Sequence, residues 1–292
     1  MTWKRVATAA ILIPLVVALA LFTPTEVVAI ATVAITVLAL WEYFALGDAI
    51  GHRAYRLWTI VCAVLLGAVQ IMDVIDLRNA SQPWNFSALM IGKHNLVEAP
   101  TIAWCFFFFT LGLACCTLWS QRPLVESLPA AGISSSGLLL VAFPLSYAIR
   151  LHGFPKYGPA FLLFALVITW AADTTAYFVG RAIGKHPLAP RISPKKTWEG
   201  SLGSMIGSLL VAYAFHSWIP IPLIHLLTMA VLGNLAGQMG DLLESAYKRS
   251  AGVKDSGVLL PGHGGVLDRI DALILCIPVI WYYLVLVNPA IR

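Results

Sequence analysis

The run from Val27 to Leu46 reads VVAIATVAITVLALWEYFAL, twenty residues that are nearly all apolar. Coiled as a helix, twenty residues cover about 30 Å, the thickness of the hydrocarbon core of a bilayer. The composition around this run points the same way. Of 292 residues, 59% are hydrophobic and only 11% are charged, and the mean hydropathy is +0.83. A soluble domain carries about 25% charged residues, so a water-soluble globule of this size could not cover its core. Disorder is excluded too, because disordered chains are poor in apolar residues. The expected fold is all-α, a polytopic integral membrane protein.

Reading apolar runs between polar breaks predicts about nine transmembrane helices: Ala7–Phe22, Val27–Leu46, Leu57–Ile75, Thr101–Trp119, Ile133–Ile149, Pro159–Gly180, Ser201–Trp218, Ile221–Leu243 and Asp271–Val287. Two prolines, Pro220 and Pro222, part the seventh from the eighth. With a cytoplasmic N-terminus, fourteen of the nineteen Lys and Arg residues fall on the cytoplasmic side. The positive-inside rule therefore places the N-terminus in the cytoplasm and the C-terminus outside it. Lys4 and Arg5 ahead of an apolar run resemble a signal peptide. The apolar core continues through Leu21 and Phe22 and another span follows at once, so an uncleaved anchor is expected. Cys62, Cys105, Cys115, Cys116 and Cys276 lie in or beside apolar runs without zinc spacing and are read as reduced and structural. Residues 77–100 read as an extracytoplasmic cap. The chain divides into an N-terminal set of about five spans, 1–150, and a more polar region, 151–292, where the chemistry is expected.

Ionisable residues inside spans usually face a bundle interior or a water-filled cavity, which singles out Asp173 and Asp241. On the eighth span Asn234, Gln238, Asp241, Ser245 and Lys248 are spaced 4, 3, 4 and 3 residues apart and share one helix face. That stripe suits hydrogen bonding between helices or a site for a cation and a phosphate. On the sixth span Asp173, Tyr177, Arg181 and Lys185 recur every four residues, although the two cations could simply snorkel to the interface. Between the sixth and seventh spans, Ser193-Pro194-Lys195-Lys196-Thr197-Trp198-Glu199-Gly200 is dense in groups that bind phosphate, and an ordinary positive loop would also read this way. Gly200, Gly203, Ser204, Gly207 and Ser208 then let neighbouring backbones approach closely.

The most informative cluster runs from Lys254-Asp255-Ser256-Gly257 to Pro261-Gly262-His263-Gly264-Gly265-Val266-Leu267-Asp268-Arg269-Ile270-Asp271. Its glycines allow close approach to a ligand, and it leads into a helix start, which favours anions. Asp268 and Asp271 could cap that helix. They could also serve a hard cation, since Mg²⁺ takes carboxylate oxygens together with substrate phosphate. Asp241 and Asp268, from different helices, form the simplest protein half of such a site.

From Ser245 to Asp271 these residues make a fixed-spacing match that resembles the signature of the phosphatidate cytidylyltransferases (CDP-diacylglycerol synthases). Asp173-Thr174, Tyr177, Gly180-Arg181, the Ser193–Gly200 segment and Gly240-Asp241 resemble that family too. Trp41-Glu42-Tyr43 is a weaker echo, and Tyr247 departs from the usual apolar residue. The resemblance implies Mg²⁺-dependent transfer of CMP from CTP to phosphatidic acid, with release of pyrophosphate, at the cytoplasmic face of a bacterial-type inner membrane. The implied catalytic set is Asp241, Asp268, His263, Lys248 and Arg269. Metal ligands would be Asp241 and Asp268, with Asp271 beside them and room for a second cation. Substrate contacts would come from Asp173, Ser193, Lys195, Lys196, Thr197, Ser245, Arg249, Lys254, Asp255, Gly264 and Gly265. His263 could serve the leaving phosphate or brace its loop. The expected partners are CTP, phosphatidic acid and the bilayer, with no nucleic acid; a homodimer stays open. A CTP-dependent transferase with another lipid acceptor is the rival enzyme. The Asp-Gly … Ala-Arg pattern of the CDP-alcohol phosphotransferases does not occur here. A transporter would require internal repeats that the sequence does not show.

Overall fold

Within a bilayer no water satisfies backbone groups, so an apolar chain of this kind closes its hydrogen bonds helix by helix. The computed structural model describes residues 2–79, 98–259 and 264–287. Their helices are α1 (Thr2–Phe22), α2 (Thr25–Ala49), α3 (Arg56–Asn79), α4 (Glu98–Leu118), α5 (Leu124–His152), α6 (Gly158–Ile183), α7 (Trp198–Phe215), α8 (Leu223–Ser250) and α9 (Leu267–Val287). In α5 a π-turn at Leu138–Ala142 precedes Pro144, which has no N–H to give to Leu140. Seven helices, α2 to α6, α8 and α9, are long and apolar enough to cross a membrane. α1, with a shorter apolar run at Ala10–Phe22, and α7, rich in small residues, fall outside those seven. The cap expected at 77–100 lies almost wholly outside the described residues.

Among the described residues the sheet is one antiparallel hairpin, β1 (Pro187–Ala189) with β2 (Ser193–Thr197), which pairs Pro187 with Thr197 and Ala189 with Ser193. It occupies the segment that the sequence presents only as a basic loop.

α6 and α7 make the closest helix pair. Side chains at Gly203 and Gly207 would run into Val179 and Thr175, so the two helices meet at this distance only because those positions are glycine. α9 packs on α8, α5, α6 and α2. Phe44, Phe161, Phe164, Leu226 and Ile280 are wholly buried around it.

At the far end of the bundle, Arg150 donates to Gln70 and Asp73, and Gln70 donates to Ser146 at 2.9 Å. The guanidinium also lies 5.3 Å from the Trp281 ring. Asp73 and Arg150 are only 6% and 5% exposed, so this pair is shielded from solvent. Removing one partner of such a pair leaves the other charged and buried, at a cost of about 3–5 kcal/mol. Arg150→Ala is expected to lower unfolding stability by roughly that amount, read from denaturant titration in detergent. Asp73→Asn, which keeps a hydrogen-bonding group, should cost less.

Candidate active site

A cavity of about 410 Å³ opens between α6, α7, α8 and the hairpin. α6 contributes Asp173, Tyr177 and Arg181 to its wall; β2 contributes Lys195, Lys196 and Thr197; α8 contributes Asn234, Gln238 and Asp241. The stripe on α8 divides in two here. Asn234 donates to Ser208 at 2.8 Å, Gln238 donates to Ser204 at 3.0 Å, and Ser201 donates to Gln238 at 2.5 Å. That half of the stripe bonds α8 to α7. One turn further on, Asp241 forms an ion pair with Lys196, which the hairpin carries across. Arg181 donates to the Tyr177 hydroxyl at 2.9 Å.

The hairpin is fixed where β2 runs into α7 and where the chain enters β1. Thr197 caps α7 by accepting from the Gly200 N–H at 3.1 Å. The Glu199 carboxylate accepts from the backbone N–H groups of Lys185 and His186, at 3.1 and 3.3 Å, and sits 2.6 Å from His186 Nδ1. Hydrogen bonds from its own backbone N–H and from the His186 ring hold the Glu199 carboxyl down at about 2, so this clamp is charged at neutral pH.

A second cluster lies where α8 ends and α9 begins. Lys248 stands between Glu244, one turn earlier, and Asp268, whose Oδ1 it reaches at 2.6 Å. The other oxygen of Asp268 accepts from the Ser256 N–H at 2.9 Å, the Ser256 hydroxyl at 3.0 Å and the Gly265 N–H at 2.9 Å. With its side chain 5% exposed, Asp268 holds Ser256 and Gly265, both from the loop between α8 and α9, on one carboxylate oxygen. Gly264, at φ +79°, makes the turn beside it. From α2, Glu42 reaches the same loop and accepts from the N–H groups of Val266 and Leu267. In the sequence this residue is marked only by the weak Trp41-Glu42-Tyr43 echo, with no sign of its partners.

The two clusters adjoin. Gly240 of α8 faces the backbone carbonyl of Asp271, so close that a side chain there would overlap it. Asp173, Asp241 and Lys196 line one cavity, the Asp271 backbone abuts Gly240 beside it, and Lys248 is joined separately to Asp268. Arg249 donates to the Ile192 and Val253 carbonyls at 3.3 and 3.0 Å and ties the loop to the hairpin. Ser193 begins β2 and Ser245 is buried on α8, while Lys254, Asp255 and Arg269 are exposed. His263 lies outside the described residues. Among the described residues, no three His, Cys, Asp or Glu side chains form a ready metal cage.

The family model described as "Cytidylyltransferase family" matches residues 3–287. The phosphatidate cytidylyltransferase of Haemophilus influenzae is 33% identical over 305 residues, covering 96% of this chain and 97% of that protein. That of Bacillus subtilis is 40% identical over 157 residues, 53% of this chain and 58% of the relative. A Brucella abortus phosphatidate cytidylyltransferase is 41% identical over 163 residues, 53% of this chain and 56% of the relative. In these last two matches the alignment spans just over half the length of the relative.

Because the Thr197 hydroxyl caps α7, Thr197→Ala is expected to lower stability by about 1 kcal/mol, whereas Thr197→Ser should be nearly neutral. Equilibrium unfolding in detergent reads both. Equal losses in the two variants would show that the hydroxyl contributes nothing.

Proposed function

This chain belongs to the cytidylyltransferase family, and from that premise we propose that it transfers CMP from CTP to phosphatidate, giving CDP-diacylglycerol and pyrophosphate. The observation that carries the reading is the Lys196–Asp241 pair at the wall of a cavity set among membrane helices. It places mobile cationic and anionic groups where a lipid phosphate and a nucleotide could meet. In the reaction an oxygen of the lipid phosphate attacks the α-phosphorus of CTP. A phosphorus–oxygen bond forms there, and the bond to the departing pyrophosphate breaks. The attacker is already anionic, so no protein nucleophile is required. The obstacle is repulsion between two highly charged phosphates, and catalysis rests on positioning and charge neutralisation.

Lys195 and Lys196 on the hairpin and Arg181 on α6 line the cavity and supply that neutralisation. The carboxylates fit a divalent cation of the Mg²⁺ type. They are hard oxygen donors on α6, α8 and α9, and Mg²⁺ takes one or two carboxylates plus substrate phosphates rather than a full protein cage. Asp241 and Asp271 would hold it, with Asp268 oriented beside them by Lys248 and Ser256. Bound there, the metal would screen the phosphates and favour departure of pyrophosphate. Lys196 neutralises Asp241, and with a cation held by Asp241 it would be available to phosphate. The hairpin and the 251–266 loop face the cytoplasm, as the distribution of Lys and Arg favours.

Asp241→Asn and Asp268→Asn are each expected to lower CMP transfer at least about 100-fold while the protein still inserts in the membrane. The assay is labelled CTP with Mg²⁺ and phosphatidic acid in mixed micelles, with other lipid phosphates as comparison acceptors. Near-normal turnover in Asp241→Asn would overturn the metal assignment, and in Asp268→Asn the part given to Asp268 beside it. Chelation of divalent cations should abolish transfer and added Mg²⁺ restore it. For orientation, Ser193→Cys in a cysteine-free background should react with an impermeant thiol reagent only from the cytoplasmic side.

A further inference from the structure

We propose that Glu42 of α2 is a positioning residue for the transfer reaction, holding Ser256, Gly257 and the Gly265–Leu267 start of α9 in the geometry that Asp268 needs. The inference rests on the CMP-transfer reading and assigns a role in it to the N-terminal spans. Glu42 is 7% exposed and uses both carboxylate oxygens. Oε1 accepts from the Val266 N–H at 3.0 Å; Oε2 accepts from the Leu267 N–H at 2.8 Å and lies 3.1 Å from the Ser256 hydroxyl, whose single proton it shares with Asp268.

The first N–H groups of a helix have no acceptor within it, and a negative charge is favoured at that end. A residue just ahead of the helix usually supplies that acceptor. Here it arrives from a helix more than two hundred residues earlier in the chain. The Ser256 hydroxyl lies between Glu42 and Asp268, 3.1 Å from one carboxylate and 3.0 Å from the other. A continuous polar chain therefore runs from Glu42 through Ser256 and Asp268 to Lys248. The loop also wraps the carboxylate on two sides. A side chain at Gly257 or Gly265 would overlap the Glu42 carboxylate, so a methyl group at either position has to displace it. Ser256 and Gly265, which orient Asp268, are thus the residues that Glu42 pins. A displacement of about 1 Å in such a group costs on the order of 100-fold in rate.

The test compares wild type, Glu42→Gln and Gly257→Ala as full-length protein in phosphatidate-containing micelles, below the onset of melting. Gln keeps the shape but offers one acceptor where two backbone donors converge. The expected result is a fall in kcat of about 10- to 100-fold, with KM for CTP and for phosphatidate within about twofold of wild type. Gly257→Ala, which pushes on the same carboxylate from the loop side, should give the same pattern. Wild-type kcat in Glu42→Gln would overturn the proposal, as would a loss explained by the unfolded fraction alone. Should Glu42→Gln fail to accumulate, wild-type kcat in Gly257→Ala overturns it equally. Absence of CMP transfer in the wild type would instead remove the functional reading itself, so the two failures are distinguishable.

Discussion

A carboxylate taken out of water has to be given a cation or a set of hydrogen-bond donors, because hydrocarbon provides neither. That constraint decides how these helices are joined. Asp241 on α8 draws Lys196 across from the hairpin. Asp268 at the start of α9 takes Lys248 from the end of α8 and three donors from the loop between them. Glu42 on α2 takes the first N–H groups of α9, and Asp73 on α3 takes Arg150 from α5. Apolar packing sets which helices can lie together, but it is nearly indifferent to sliding and rotation when the surroundings are as apolar as the side chains. The paired charges supply the register that packing leaves free.

The helices could be read directly because long apolar runs between polar breaks have one stable form in a bilayer. The α8 stripe was also visible, yet its spacing could not tell joint from site, and it proves to serve both. Asn234 and Gln238 bond to the serines of α7, and Asp241 turns to the cavity. The hairpin was hidden because Ser-Pro-Lys-Lys-Thr is short and polar, and its partner strand is only three residues long. The sequence set Asp241 beside Asp268 as a pair; in the structure Asp241 lines the cavity with Asp173, and Asp268 is held by Lys248 and the loop. That placement could not be read in advance, because two of the donors that engage Asp268 are backbone N–H groups whose direction no residue type encodes. The partners of Glu42 were hidden for the same reason, since amides are what any residue could offer.

Polar groups in a membrane protein can mark a passage across the bilayer or a chamber with one mouth, and the two differ in what lies beyond the deepest polar side chain. Below Thr169 and Asn234, α6 continues as Phe161, Leu162, Leu163 and Phe164, and α8 as Leu226, Met229 and Ala230, all buried. α9 runs past the same level with Ile274, Ile277 and Ile280, also buried. Trp281 lies thirteen residues beyond Asp268, about 20 Å along the helix, and there the Arg150–Asp73–Gln70 cluster closes the opposite end. Tyr147 and Tyr282 are hydrogen-bonded beside it at 2.5 Å. An ion or solute crossing this bundle would meet tightly packed hydrocarbon between two separate polar layers. A reactant that enters from one membrane surface and leaves by the same surface would not. A lipid phosphate held at its own leaflet, meeting a water-soluble nucleotide, is such a reactant, and that asymmetry favours group transfer over transport.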